Sequence, residues 1–163
     1  MKINSFREMY LQELQEACSV ESQLVDALPR MRDAAASETL KQALEGHLVD
    51  TRAQLARVET ILKRHEVNPG EHQDQSMRRL IEESEKWSGM LDDPALRDAG
   101  LIASAQRIEH YEIAAYGTLA CWAKQLGLDE DQSELLAILD QEKAADDLLT
   151  ELAKQDVNPG AAQ

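Results

Sequence analysis

Four stretches of the chain repeat apolar positions in alternating steps of three and four, and each is interrupted by an ionisable residue. Leu11, Leu14, Cys18, Glu21, Val25 and Leu28 form the first stripe. Leu40, Leu44, His47, Thr51, Leu55 and Val58 form the second, with Asp50 one turn from His47. The third is Leu101, Ala105, Ile108, Glu112, Ala115 and Leu119, with Glu109 beside it. Leu135, Leu139, Glu142, Asp146, Leu149 and Ala153 form the fourth. That period is the core-facing face of an amphipathic helix. β-branched runs and alternating segments, which would mark strands, are missing.

Helix signals place the elements. Ser5-Phe6-Arg7-Glu8 fits a capping box, so the first helix starts near Ser5 and runs to about Met31. Pro29 lies inside it and predicts a kink or an early end. Ser37 caps a second helix running to about Glu66, which Val67-Asn68-Pro69-Gly70 stops. A shorter amphipathic segment from about Asp74 to Met90 reads as a connecting helix lying against the bundle. Asp93 as cap and Pro94 at the first helical position open a helix that runs to about Leu126, where Gly127 caps its end. Asp129-Glu130-Asp131-Gln132 opens the last helix, which is expected to end before Val157-Asn158-Pro159-Gly160. The two Val-Asn-Pro-Gly stops suggest a duplication. Asp50 and Asp146 stand at different distances from them, which favours shared helix-stop chemistry instead. Four helices of roughly 25 to 30 residues would each span about 40 Å, the proportions of a four-helix bundle. The fold class is therefore all-α, a single domain over residues 1–163.

Composition narrows the classes. Apolar residues make up 43% of the 163-residue chain and aromatics only 4%, which suits one helical domain with a continuous core. The net charge of -14 excludes the cationic footprint that a nucleic-acid binder needs and repels anionic membranes. It attracts cations. The N-terminal residues carry no long apolar segment and no window is apolar enough to span a bilayer, so a cytoplasmic protein is expected. Cys18 and Cys121 lie mid-helix and far apart, and read as reduced, small core residues. Trp87 and Trp122 read as packing residues, and His65 and His72 as exposed.

The interrupted stripes carry the chemistry. A buried unpaired carboxylate is costly, and several facing one another are worse unless cations or protons neutralise them. His47 with Asp50, Glu109 with Glu112, and Glu142 with Asp146 each lie one helical turn apart, so each pair shares a face at about 5–6 Å between Cβ atoms. Glu21 supplies a fourth side. All seven fall near the middle of their helices, which come together in an antiparallel bundle. An oxygen-rich set with one imidazole favours iron or manganese, admits magnesium or calcium, and argues against structural zinc. Six ionised carboxylates exceed the charge of two divalent cations, so either some share protons or not all bind directly. The Glu-x-x-His spacing of common di-iron bundles is absent; His47-x-x-Asp50 runs in the reverse order. Each residue alone also has a plainer role. Glu21 fits a snorkelling boundary residue, His47 a hydrogen-bonded core histidine, and Glu109 a solvated face, while Asp147 competes with Asp146 for the inward position. Tyr116, one turn beyond Glu112, is placed either to orient it or to pack in the core.

Glu21-Ser22-Gln23-Leu24, Asp26-Ala27-Leu28-Pro29, His47-Leu48-Val49-Asp50-Thr51, the block from Ala105 to Leu119, Glu142-Lys143-Ala144-Ala145-Asp146 and Leu149-Thr150-Glu151-Leu152-Ala153 together resemble the bacterial YciE/YciF family of ferritin-like proteins. The likeness covers nearly the whole chain. It lies closer to the YciF branch, because the aspartate follows Glu142 by four residues. The resemblance implies a ferritin-like bundle with an additional helix in the connection between its second and third long helices, usually a homodimer. It implies a rubrerythrin-like dinuclear metal centre and a link to bacterial stress responses. Asp50 stands where the family often has Glu, a shorter arm. On this basis the candidate ligands are Glu21, His47, Asp50, Glu109, Glu112, Glu142 and Asp146, and the expected cofactor is a dinuclear metal, iron first, with manganese or magnesium also suited. The expected reaction is oxidation of bound iron by oxygen or peroxide. The alternative is a non-enzymatic helical dimer whose acidic core is protonated or holds one metal ion.

Overall fold

The structure, a computed structural model, describes residues 2–70 and 72–163. Its elements are α1 (Phe6–Ala34), α2 (Glu38–Arg64), α3 (Gln75–Met90), α4 (Pro94–Gln125) and α5 (Asp129–Leu152), followed by a π-helical turn (Ala153–Val157) and α6 (Asn158–Ala161). No strand occurs among the described residues.

Side-chain caps start most of the helices where the sequence places them. Ser5 accepts from Glu8 N, Ser37 from Leu40 N, Asp74 from Met77 N, and Asp93 from Ala95 N and Leu96 N. Each satisfies donors that the first turn leaves without partners. The structure modifies three expectations. Pro29 does not end α1, which continues to Ala34, because the buried flanking residues Leu28 and Met31 anchor the segment. Asp129 does not cap α5, whose first turn has no side-chain cap. α5 ends at Leu152, before Val157 as expected, but the chain stays helical beyond it through the π turn and α6. The π turn shifts the hydrogen-bond register, so Pro159 falls in the first turn of α6, where no donor is required of it.

The bundle's direction follows from its core, which has two apolar halves. One contains Leu24, Leu28, Leu40, Leu44, Leu101 and Leu149, and the other Tyr10, Leu14, Val58, Ile61, Leu119 and Leu135. Reading along the chain, α1 and α5 pass from the second half to the first, and α2 and α4 pass the other way. The long helices contact one another in the ring α1–α2–α5–α4, so every neighbour is antiparallel. Because α2 and α4 run in the same direction, the chain must return the length of the bundle between them. That return contains α3, which packs Met77 and Ile81 into the first half. This is a four-helix bundle with an additional helix in the crossover. Asp98 on α4 ties the α1–α2 turn down by accepting from Ala36 N at 2.8 Å and Ser37 N at 2.7 Å.

The end of α2 is held by Glu66, not by the proline-glycine pair downstream. Val67 N donates to Leu62 O at 3.0 Å and Glu66 N to Lys63 O at 3.0 Å, with Glu66 at φ 58. This is a Schellman closure whose left-handed position carries a glutamate. At the end of α4 the same closure uses Gly127 at φ 68, as the sequence predicts. Glu66 is exposed, so its side chain contributes little to packing. Glu66→Gly is expected to stabilise the fold by about 0.5–1 kcal/mol, the left-handed strain exceeding glycine's entropy cost. Thermal unfolding checks this: a lower midpoint than the parent would show that the strain is already relieved.

Two further expectations change. Cys18 is buried and Cys121 is exposed, both as free thiols. Trp122 packs on Phe6 with ring centroids 5.6 Å apart, whereas Trp87 is 41% exposed.

Candidate metal centre

Between the two apolar halves lies a polar layer. Glu21 from α1, His47 from α2, Glu109 and Glu112 from α4, and Glu142 from α5 are all buried there, and Glu21, Glu112 and Glu142 are 0% exposed. His47, Glu109, Glu112 and Glu142 each offer one ligand atom, and these atoms all lie within 4.8 Å of one another. His47 Nε2 is 3.1 Å from Glu109 Oε1 and 4.0 Å from Glu142 Oε2. The 3.1 Å approach lacks hydrogen-bond alignment, so Nε2 has no partner.

The unsatisfied atoms are the informative feature. Glu21 Oε2, Glu109 Oε2, both oxygens of Glu112, Glu142 Oε2 and His47 Nε2 are buried without hydrogen-bond partners. Buried polar atoms are rarely left so, and a group of them sharing one buried layer fits a bound cation. The donors are carboxylates and one imidazole, which suits a hard or borderline divalent ion.

Electrostatics describe the same layer in its metal-free form. Burial, then the charge of Glu142, pushes Glu21 well above the usual carboxylate range, against the hydrogen bond from Tyr116 and the close approach of the Glu112 carboxyl. Glu112 rises through burial, then the charges of Glu142, Glu21 and Glu109. Glu109 rises through burial, then the close approach and charge of the Glu142 carboxyl. His47 is lowered by burial, which outweighs the pull of Glu142 and Asp50. A neutral imidazole is the form that binds metal. These shifts favour the protonated form of the carboxyls where no cation is bound.

The other ligand candidates occupy different places. Asp50 is half-buried and lines a cavity together with His47 and Glu109. Asp146 is half-buried, accepting from Gln106 Nε2 at 3.2 Å and lying 3.1 Å from His110 Nε2. Asp147 is exposed, so of the two aspartates Asp146 is the one turned toward α4. Tyr116 does not orient Glu112. It is buried and donates its hydroxyl to Glu21 Oε1.

Two features of the interior escaped the sequence reading. Gln54, 0% exposed, donates through Nε2 to Glu142 Oε1 and so fixes that carboxylate. Its signal was its position two turns after His47, on the same face. At the far end of the bundle, Asp131 is 2% exposed and meets Tyr10, Arg64 and His65, so His65 is not a free surface residue. His72 is exposed and lies 2.6 Å from Glu16.

The sequence matches the model of a domain of unknown function (DUF892) over residues 5–162, and the chain belongs to that family. It is 36% identical over 162 residues to Protein YciF of Escherichia coli (strain K12), covering 99% of this chain and 98% of that protein. The crystal structure of the E. coli stress protein YciF matches with a TM-score of 0.91 at 36% identity, over 96% of this chain and 99% of that chain. YcfI from Rhodopseudomonas palustris matches with a TM-score of 0.88 at 35% identity, over 91% and 95% of the respective chains. No described helix is long and apolar enough to cross a membrane.

Proposed function

We propose that this member of the DUF892 family holds a dinuclear metal centre, iron first, and works in a stress response as its relative's description states of that protein. The observation that carries the reading is the set of buried, unpartnered carboxylate oxygens facing the neutral His47 across the bundle interior. His47, Glu109, Glu112 and Glu142 would be the direct ligands, with Glu21 as the fifth, and Asp50 and Asp146 completing the two ends of the site. Gln54 and Tyr116 hold Glu142 and Glu21 in place. A pair of iron ions there would supply the two electrons that oxygen or peroxide takes up. The chain's own contribution is to exclude water, hold the carboxylates in register and surrender their protons as metal enters.

The alternative is a protonated acidic core without redox chemistry. The raised carboxyls favour it whenever metal is scarce. Metal analysis of protein purified without chelators separates the two. Anaerobic ferrous iron is expected to load about two ions per chain, and admitting oxygen should develop a ferric absorption band. Glu112→Gln/Glu142→Gln should lower the load to one ion or none while keeping the helical circular dichroism. Unchanged metal content in that variant would remove these residues as ligands.

A further inference from the structure

Beside the acidic layer lies a cavity of different character. It is about 520 Å³, sits between α2 and α5, and is walled largely by Leu44, Val49, Ala144 and Leu148. His47 and Glu109 form part of the same wall, and Asp50 stands with them. Val49 and Leu148 are 58% and 49% exposed, so apolar side chains meet solvent on this face.

Oxygen or hydrogen peroxide needs no apolar chamber of this size, since a water molecule takes about 30 Å³ of liquid volume. Pockets of about 300–1,000 Å³ suit small organic molecules. The walls select an apolar body. The net charge of -14 and the carboxyls of Asp50 and Glu109 disfavour an anion. His47 and Glu109, both assigned to the metal centre and more than nine-tenths buried, form the inner end of the groove, so a polar head seated there lies beside that centre.

We propose that this groove binds a small neutral organic hydroperoxide, its hydrocarbon part against Leu44, Val49 and Leu148 and its OOH group at the inner end, beside the metal centre that His47 and Glu109 border. The inference rests on the metal-centre reading and names the substrate class of that site. The O–O bond breaks. The oxygen attached to carbon takes one proton and leaves as an alcohol, and the other oxygen takes a second proton and leaves as water. Two ferrous ions held by the metal centre would supply the two electrons, and solvent the two protons.

Gly46 gives a direct test. It lines the groove, and a Cβ built on it meets nothing within 4 Å. Gly46→Leu therefore has open space at its Cβ and is expected to extend into the groove, and leucine favours the helix. Metal-free protein is titrated with 2-phenyl-2-propanol, the unreactive alcohol of cumene hydroperoxide, and followed by NMR. Saturable shifts at Val49 and Leu148 are expected in the parent, with affinity weakened about tenfold or more in Gly46→Leu. In ferrous-loaded protein, the ratio of the oxidation rate with cumene hydroperoxide to that with hydrogen peroxide should fall about tenfold in the same variant. Iron uptake without alcohol binding would overturn the groove and leave the metal centre standing. Alcohol binding without iron uptake would overturn the redox step together with the metal reading. No alcohol binding, combined with a parent dimer that Gly46→Leu converts to monomer, would overturn the proposal by making this face an interface between two copies.

Discussion

Stripped of metal, the chain is expected to become less stable as pH rises from about 5 to 8, the reverse of a protein held by surface ion pairs. Glu21, Glu109 and Glu112 are all pushed above the usual carboxylate range by burial and by one another's charge. Between the unfolded value, about 4.3, and the folded one, the folded chain binds more protons than the unfolded chain. Stability therefore falls with rising pH throughout that window. One such group, fully inside its window, changes stability by about 1.4 kcal/mol per pH unit. In a chain of this size that moves the melting midpoint by about 3–6 °C. The three carboxyls interact, so their contributions overlap and do not simply sum. His47 acts in the opposite sense. Its value is lowered, so protonation of the unfolded chain costs stability below about 6.5. Above that pH His47 no longer opposes the carboxyls.

Adding ferrous or manganous ion anaerobically should raise the midpoint and remove the decline, because metal replaces the protons and binds best when they are gone. At a free concentration 100 times the dissociation constant the gain is about 2.7 kcal/mol. Melting curves at several pH values, with chelator and with metal, measure both effects. A chelator-treated midpoint that stays flat or climbs from pH 6.5 to 8 would show that the acidic layer is charged and compensated in some other way.

The sequence revealed more of the frame than of its fastenings. Wherever a helix starts on a Ser or Asp that bonds its own first turn, as at Ser37, Asp74 and Asp93, the boundary was legible, because capping is a local interaction between near neighbours. The α5 start falls at Asp129 as read, but without the expected cap, and Asp131 in its first turn is committed instead to Tyr10, Arg64 and His65, partners distant in sequence. Pro159 was misread because a π turn, which has no local signature, resets the register before it. The acidic layer was legible for a related reason: a glutamate on an apolar stripe violates the binary pattern, and four helices violate it at one depth. Gln54 escaped because the step from Thr51 to the next core position can be three or four, and Leu55 was the more apolar choice. The hydroxyl of Tyr116 reaches α1 and not its own helix, which spacing along α4 cannot show.

Asp131→Ala is expected to be the most damaging substitution outside the acidic layer. Its carboxylate is 2% exposed and joins three helices: Tyr10 on α1 donates to Oδ2 at 2.9 Å, Arg64 on α2 pairs with Oδ1, and His65 Nε2 lies 2.5 Å from Oδ2. It also sits in the first turn of α5, where a negative charge favours the helix and no side-chain cap is present. Removing one partner of a buried pair costs about 3–5 kcal/mol. The lower end applies here, because the Arg64 side chain is 28% exposed and keeps Glu130 and Glu134. A loss of about 3 kcal/mol corresponds to a midpoint about 6–12 °C lower. Asp131→Asn keeps the shape and an acceptor for Tyr10, and should cost about half as much.

The pH response identifies the cause. Burial pushes Asp131 up, but the hydrogen bonds from His65, Tyr10 and Arg64 more than offset it and hold the carboxyl below its ordinary value. A depressed carboxylate contributes stability that is complete above the unfolded value, about 3.9, and is lost as pH falls through the folded one. The parent should therefore shed this contribution only in strong acid, and the gap between parent and Asp131→Asn should close there. The acidic layer loses stability in the opposite direction and above pH 5, so the two sites separate on one pH axis. Metal content should be unchanged in Asp131→Asn, because Asp131 belongs to the apolar end of the bundle with Tyr10 and not to the layer around Glu142. A midpoint within about 2 °C of the parent for Asp131→Ala would mean that Arg64 and His65 find other partners, and that the bundle's end is held by its apolar contacts alone.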